Sequence, residues 1–373
     1  MSKKTKGLIN LGLIAALYAA LYAAEKCLGS SAMMVTVLRK GTVYALLAVS
    51  MNMLNGFTGL FSLGQAGFML VGAYAYAILT IPVAKRLAVY QYYGGGLVQF
   101  TVPVLVGILA GGLVAAIFAA LIGLPVLRLK SDYLAIATLG FAEIIRAVVQ
   151  YKGLGALTNG SNLLKTYPTF ATLHTMGPKN APAFIKGLYE VYATLFPYLV
   201  CGACILVIVL MLNSTYGRAF KAIRDDEIAA EAMGISLFRH KQISFVVSSF
   251  FAGIGGALLA MFQQSLQANA FKSSMTYEIL LIVVIGGLGS ISGSVLASYL
   301  FIACSEWWLR FLDNEQFIFG WKVPLLRSGF RMVVFSVIIM AIVLFFRKGI
   351  MGDKELDLVS MFTGKSRKER KMQ

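Results

Sequence analysis

"MNMLNGFTGLFSLGQAGFMLVGAYAYAIL", residues 51–79, is apolar enough to lie in a membrane and polar enough to be broken inside it. Asn52, Asn55, Gly56, Thr58, Gly59, Ser62, Gly64 and Gln65 interrupt the run. At membrane depth, non-helical backbone survives only where protein buries it or water reaches it, because lipid satisfies no N–H or C=O. Ser62 and Gln65 have capping-box spacing, which predicts that a helix restarts after Ser62. The start of such a helix offers free N–H groups and partial positive charge, suited to a carboxylate. "GLFSLGQA" (59–66) also opens like a phosphate loop, G-x-x-x-x-G. Gln65 and Ala66 stand where the lysine and Ser/Thr are required, so it cannot hold nucleotide as a Walker A loop does.

Outward from this stretch the chain stays apolar. Of its 373 residues, 58% are hydrophobic and 13% charged, and the mean hydropathy is +0.78. Apolar runs of membrane-spanning length recur near 8–24, 41–56, 62–80, 102–124, 132–150, 192–212, 242–264, 275–288, 291–311 and 329–347. They are continuous rather than alternating, which excludes a β-barrel. The expected fold is an all-α polytopic integral membrane protein of about ten segments, some interrupted by glycine. "MSKKTKG" before the first run resembles a signal peptide, but the run is long and others follow, so a retained first helix is expected.

The net charge of +17 sits at span ends and in the tails, so membrane topology explains it without nucleic acid. An even number of crossings puts both termini on one side. The basic "KKTK" and "GKSRKERKMQ" (364–373) make that side the cytoplasm. Arg39, Lys40, Lys85 and Arg86 fall on the wrong side of this assignment. The expected organisation is a transmembrane domain over 1–350, with a cytoplasmic loop at 214–241 and an extracytoplasmic loop at 151–191. A basic cytoplasmic tail at 351–373 completes it and touches anionic lipid.

A second interruption, "VVIGGLGSISGSVLAS", lies at 283–298. Paired Gly-broken segments in the two halves of a transporter point to a substrate path near the midplane. Asn55, Gly59, Ser62, Gln65, Gly287, Gly289 and Ser290 are the path candidates. For the second break, close helix packing through Gly289 and Gly293 explains the glycines equally well. Other membrane charges are few: Glu143 and Arg146, three apart, read as an ion pair at a helix end, and Glu278 and Glu306 lie near span ends. Cys201 and Cys204 in "CGAC" read as small packing residues, and His174 and His240 lie in separate loops. No metal, cofactor or catalytic residue is expected.

"GRAFKAIRDDEIAAEAMGIS" (217–236) is the charged exception. Acidic residues at 225–227 suit a first helical turn, and Gly234 suits the position just past the end. About two turns of helix is too short to stand alone in water, so it must lean on something. Ile228 and Ala232 share one face and Glu227 and Glu231 another, which predicts an apolar side inward and an acidic side outward. Read as an ordinary solvated loop instead, the segment would pair Lys221 with Asp225 at i,i+4.

Together "NGFTGLFSLGQAGFMLVGAY", "LRLKSDYLAIATLGFAEIIR", "LTNGSN", "GRAFKAIRDDEIAAEAMGI" and "VVIGGLGSISGSVLA" resemble, in order, the permeases of bacterial ABC importers for branched-chain amino acids, the LivM-like subunits. The resemblance implies a non-catalytic translocation subunit of the inner membrane. Its implied partners are a second homologous, LivH-like permease, two ABC ATPases that supply ATP hydrolysis in trans, and an extracytoplasmic solute-binding protein. It makes the charged loop a coupling helix, with Arg218, Arg224, Asp225, Glu227, Ala230, Glu231 and Gly234 as coupling residues. Related permeases carry urea or short amides on the same architecture. In "LTNGSN", Asn159 and Ser161 replace the family's more usual glycine and proline, and 165–190 reads as an insertion. Two rival classes remain. An ion-coupled carrier working alone needs a ladder of buried carboxylates, and an intramembrane enzyme needs a nucleophile and base within the spans. The sequence supplies neither.

Overall fold

The computed structural model describes residues 3–28, 32–129, 131–177 and 182–313, with 317–318, 321–322, 333–337, 340, 349–352 and 355. In chain order the helices are α1 (Lys3–Leu28), α2 (Met33–Asn52), α3 (Gln65–Thr80), α4 (Val83–Val89), α5 (Val104–Val126), α6 (Ser131–Gln150), α7 (Gly155–Thr158) and α8 (Phe170–Leu173). They continue with α9 (Ala183–Leu212), α10 (Thr215–Asp225), α11 (Glu227–Ala232), α12 (Leu237–Gln263), α13 (Ser273–Gly286) and α14 (Ile291–Ile302). A two-stranded hairpin pairs Phe317–Ile318 with Trp321–Lys322.

Among the described residues, six helices are long and apolar enough to cross a membrane: Met33–Phe57, Val104–Val126, Tyr133–Gln150, Phe184–Leu212, Leu237–Gln263 and Ala268–Gly286. The fold is therefore all-α and polytopic, while the expected tenth segment, 329–347, lies outside the described residues except for 333–337 and 340. The expected span at 62–80 is a helix of only 16 residues, rising about 24 Å against a hydrocarbon core of about 30 Å. The preceding non-helical stretch makes up the difference. α9 begins nine residues earlier than the apolar run suggests, taking in Lys186 and Glu190 in its first turns.

α12 is the central element, packed chiefly on α5, α3 and α2. Small residues let the backbones touch. A Cβ on Gly256 would lie 2.1 Å from the Met69 carbonyl oxygen, and one on Gly72 would lie 2.2 Å from that of Gly253. In a membrane, where apolar surface gains nothing by leaving lipid, such close contact is what holds helices together.

The two ends of the bundle differ in chemistry. At one end Glu25 takes a two-pronged ion pair from Arg39 (2.8 and 2.7 Å) and a hydrogen bond from Tyr198 (2.8 Å). Lys40 pairs with Glu306. Arg86, 1% exposed, donates to the carbonyls of Ile78 (2.9 Å), Phe100 (2.8 Å) and Val98. Three of the basic residues that break the positive-inside pattern are thus internal ties: Arg39 and Lys40 hold carboxylates, and Arg86 holds backbone carbonyls through its terminal nitrogens while its buried Nε has no partner.

The described part of the connection before α9, 151–177, sits at the same end and is folded rather than loose. Leu164, Tyr167, Phe170 and Leu173 are buried, Leu164 bridges Leu266, and Tyr167 donates to the Ala260 carbonyl at 2.9 Å. Asn159 has φ +63°, a left-handed conformation that asparagine tolerates better than most side chains. Its amide also donates to Val89 and Leu163, each at 3.2 Å. That geometry accounts for asparagine standing in a glycine's place.

Candidate functional site

The opposite end gathers both breaks and the charged loop. α2 ends in a π-helical turn, Met53–Phe57, a wider turn that is common at functional sites. The chain then runs without helix to Gln65. Its backbone is nonetheless satisfied: Leu60 N donates to Leu54 O (3.1 Å), Ser62 N to Asn55 Oδ1 (3.3 Å), and Leu63 N to Thr138 Oγ1 (3.0 Å). Ala66 N donates to Thr276 Oγ1 at 3.0 Å. Side chains from three helices replace the water that lipid excludes.

The capping box does not form. Gly64 is the N-cap of α3 and Ser62 Oγ accepts from Gly64 N at 3.4 Å. The Gln65 amide instead donates to Ser50 Oγ at 2.8 Å. Asn55 donates to Ser62 O at 3.4 Å, and Asn55, Ser62 and Gln65 are all buried. These side chains hold the break in shape. Gly59 is exposed, with φ +74° and its Cβ position 3.0 Å from Arg224 Cγ.

The second break runs from Gly287 (φ +114°) through Gly289 (φ +88°) to Ser290. Ser290 caps α14 by accepting from Gly293 N at 3.1 Å. Both breaks reverse the chain at the end carrying the charged loop, so they lie together at one mouth of the bundle rather than near its midplane. The residue that joins them, Asn52, is fully buried. Its amide nitrogen faces Ser294 Oγ (2.7 Å), Ser290 O (2.9 Å) and Gly287 O (3.3 Å), and its oxygen accepts from Gly289 N (2.9 Å). Sequence reasoning noted Asn52 only as one interruption among eight. Its partners lie more than 230 positions away, and no spacing rule reaches that far.

In the charged loop the helix comes as two pieces. α10 ends at Asp225 and Asp226 begins α11 by accepting from Ile228 N (2.8 Å) and Ala229 N (3.0 Å). Gly234 follows with φ +84°, as the sequence predicts. The faces differ from expectation. Ala230 is buried, whereas Ile228 is 82% and Met233 84% exposed. Ala229 and Ala232 are exposed as well, so Ala230 alone is the inward contact of this helix. Lys221 does not pair with Asp225; its ammonium lies 5.6 Å over the Phe57 ring. Asp225 pairs with Arg224 at 3.0 Å, and Glu227 with Lys241 at 2.6 Å. Arg224 also donates to the Gly56 carbonyl at 3.2 Å. Arg218 and Glu231 are exposed.

A cavity of about 560 Å³ opens between these parts, lined by Phe57, Leu212, Lys221, Arg224, Gly289 and Glu355 among others. Of the seven path candidates, Gly289 is the one in its wall. Glu355 accepts from Ile291 N (2.6 Å) and Ser292 N (3.0 Å), seating a carboxylate on the α14 N-terminus. Residues 349–352 press on the second break, with Ile350 N donating to Ile285 O at 2.8 Å. At the far end a smaller cavity of about 130 Å³ is lined by Glu25, Arg39, His174 and Glu190 among others. Burial and the Arg39 cation hold the His174 imidazole below its usual pKa. Elsewhere the expected Glu143–Arg146 pair forms at 2.5 Å.

Residues 33–346 match the family model described as branched-chain amino acid transport system / permease component. The high-affinity branched-chain amino acid transport system permease protein LivM of Escherichia coli is 32% identical over 74% of this chain and 64% of its own length. Its Salmonella typhimurium counterpart shows the same identity and coverage. A probable LivM of Methanocaldococcus jannaschii is 24% identical over 84% of this chain and 92% of its own. The chain thus spans just under two thirds of the length of the two bacterial relatives. No solved structure matches.

Proposed function

The chain belongs to the family of branched-chain amino acid transport system permease components, and from that membership we propose that it is the translocation subunit of an ABC importer for branched-chain amino acids. It performs no chemistry itself. Two ATPases act on it from the cytoplasm, a second, LivH-like permease completes the path, and an extracytoplasmic protein delivers solute. The mouth holding both breaks faces the cytoplasm, which puts both termini inside. The Glu25–Arg39 end, with the folded stretch 151–177, faces the binding protein.

The observation that carries this reading is the shape of α11. A six-residue helix has no independent stability in water, and this one buries Ala230 while Ile228 and the following Met233 stay exposed. Exposed Ile228 and Met233 on a rim of acids form a small apolar knob with a polar border, the build of an interface core and rim. A groove on another protein completes it. Ile228→Asp should lower ATPase co-purification by at least about tenfold, the scale of losing a central apolar contact, while the amount of permease in the membrane stays unchanged. Undiminished co-purification would remove the knob from the interface.

The first break flanks the path in this reading. Cysteines at positions 62 and 65 should therefore react with polar thiol reagents in one nucleotide state of the assembled transporter and be protected in the other. Protection of both in every state would take Ser62 and Gln65 off the path. Solute identity is tested on the partner: the solute-binding protein that supports uptake through this chain should take leucine, isoleucine or valine and refuse urea.

A further inference from the structure

We infer that Asn52 makes the two breaks move as one body, and that Arg224 hands the motion of the charged loop to that body through the carbonyl of Gly56. This rests on the reading above, in which force enters at the charged loop.

Three contacts from α10 grip the π-helical turn and the stretch just after it. The Arg224 guanidinium donates to Gly56 O at 3.2 Å, the Arg224 side-chain stem lies against Gly59, and the Lys221 ammonium covers the Phe57 ring. A π turn carries one residue more than an α turn and can shift along a helix with little loss of hydrogen bonding, so it is the deformable part of α2. Asn52 immediately precedes it. Its amide spans the gap to Gly287, Gly289, Ser290 and Ser294 through the four contacts already described. The backbones meet there as well: a Cβ at Gly56 would lie 2.6 Å from Gly289 N. A buried amide stripped of partners is costly where no water can replace them. The breaks therefore travel together sooner than they part.

α10, the first break and the second break thus form one continuous contact, and the cavity wall at Gly289 is its far end. The ratio of solute moved to ATP hydrolysed measures the energetic coupling along it directly. Asn52 and Arg224 are positioning residues; neither need touch solute.

The test uses the full transporter with its ATPases and binding protein in proteoliposomes, with uptake and ATP hydrolysis measured on the same sample. Asn52→Ala and Arg224→Ala should each cut uptake about tenfold or more while hydrolysis stays within about twofold, a coupling loss of the usual allosteric size. Arg224→Lys, which can still reach the Gly56 carbonyl, should recover most of the uptake. The double variant should be no worse than either single one, because both act at the same step. Ser294→Ala, which deletes one Asn52 partner by removing a single oxygen, serves if Asn52→Ala fails to assemble, and should lower the ratio by a few-fold. Uptake and hydrolysis falling in parallel with the amount of assembled complex would overturn the proposal, as would multiplicative losses in the double variant. If the parent complex moves solute without hydrolysing ATP, the broader reading fails first, and that result appears before any variant is made.

Discussion

Gly234→Pro is expected to reach the membrane in normal amount and to support no measurable uptake. Gly234 has φ +84° and its N–H donates to Glu231 O at 2.9 Å. Proline fixes φ near −65° and has no N–H to give, so it fails on both counts. The end of α11 must then unwind or swing, and the Ile228–Met233 knob goes with it. Uptake should fall about a hundredfold, near the upper range for losing an allosteric contact outright. Gly234→Ala is the graded control. A Cβ there meets nothing within 4 Å, so only the left-handed backbone is penalised, by about 1–2 kcal/mol, and partial uptake should remain. Thermal unfolding in detergent should barely move for either variant, since 234 is exposed. Normal transport by the proline variant would remove α11 from the energy path.

Gly56→Ala should do the reverse, damaging the fold and the function together. Its Cβ would fall 1.9 Å from Asn52 Oδ1 and 2.6 Å from Gly289 N. Either the Asn52 side chain swings away from its partners or the breaks separate. Overpacking plus stranded buried polar groups together cost about 3–5 kcal/mol. The assembled chain should lose several degrees of melting temperature and nearly all uptake. Gly140→Ala, where the added methyl meets nothing within 4 Å, should be silent on both measures. A wild-type melting curve for Gly56→Ala would mean that the two breaks are not in contact in the membrane.

These two glycines show how far the sequence could be read. Gly234 was legible because a helix end is a local affair: acids at the start, glycine past the end, and nothing between them needing a distant partner. The breaks at 53–64 and 287–290 were legible for the same reason, since polar residues inside apolar runs announce themselves. What each polar residue does was not. Ser62 and Gln65 have capping-box spacing, yet the break uses Ser62 to satisfy Gly64 and sends Gln65 to Ser50, because tertiary partners outcompete a local motif when water is absent. The outward face of α11 was misassigned because Ala230 alone is its inward contact, while Ile228 and Ala232 stay exposed. Arg39 and Lys40 looked like topological exceptions until Glu25 and Glu306, the latter more than 260 residues away, supplied their charges. Asn52 is the extreme case, its function set entirely by contacts that only the folded chain creates.

The most direct test is transport by this chain alone. Purified without companions and reconstituted in liposomes loaded with ATP, it should bind no nucleotide and concentrate no branched-chain amino acid. Adding the ATPases, the second permease and the binding protein should switch accumulation on. Accumulation of leucine against its gradient by the single polypeptide would contradict the account.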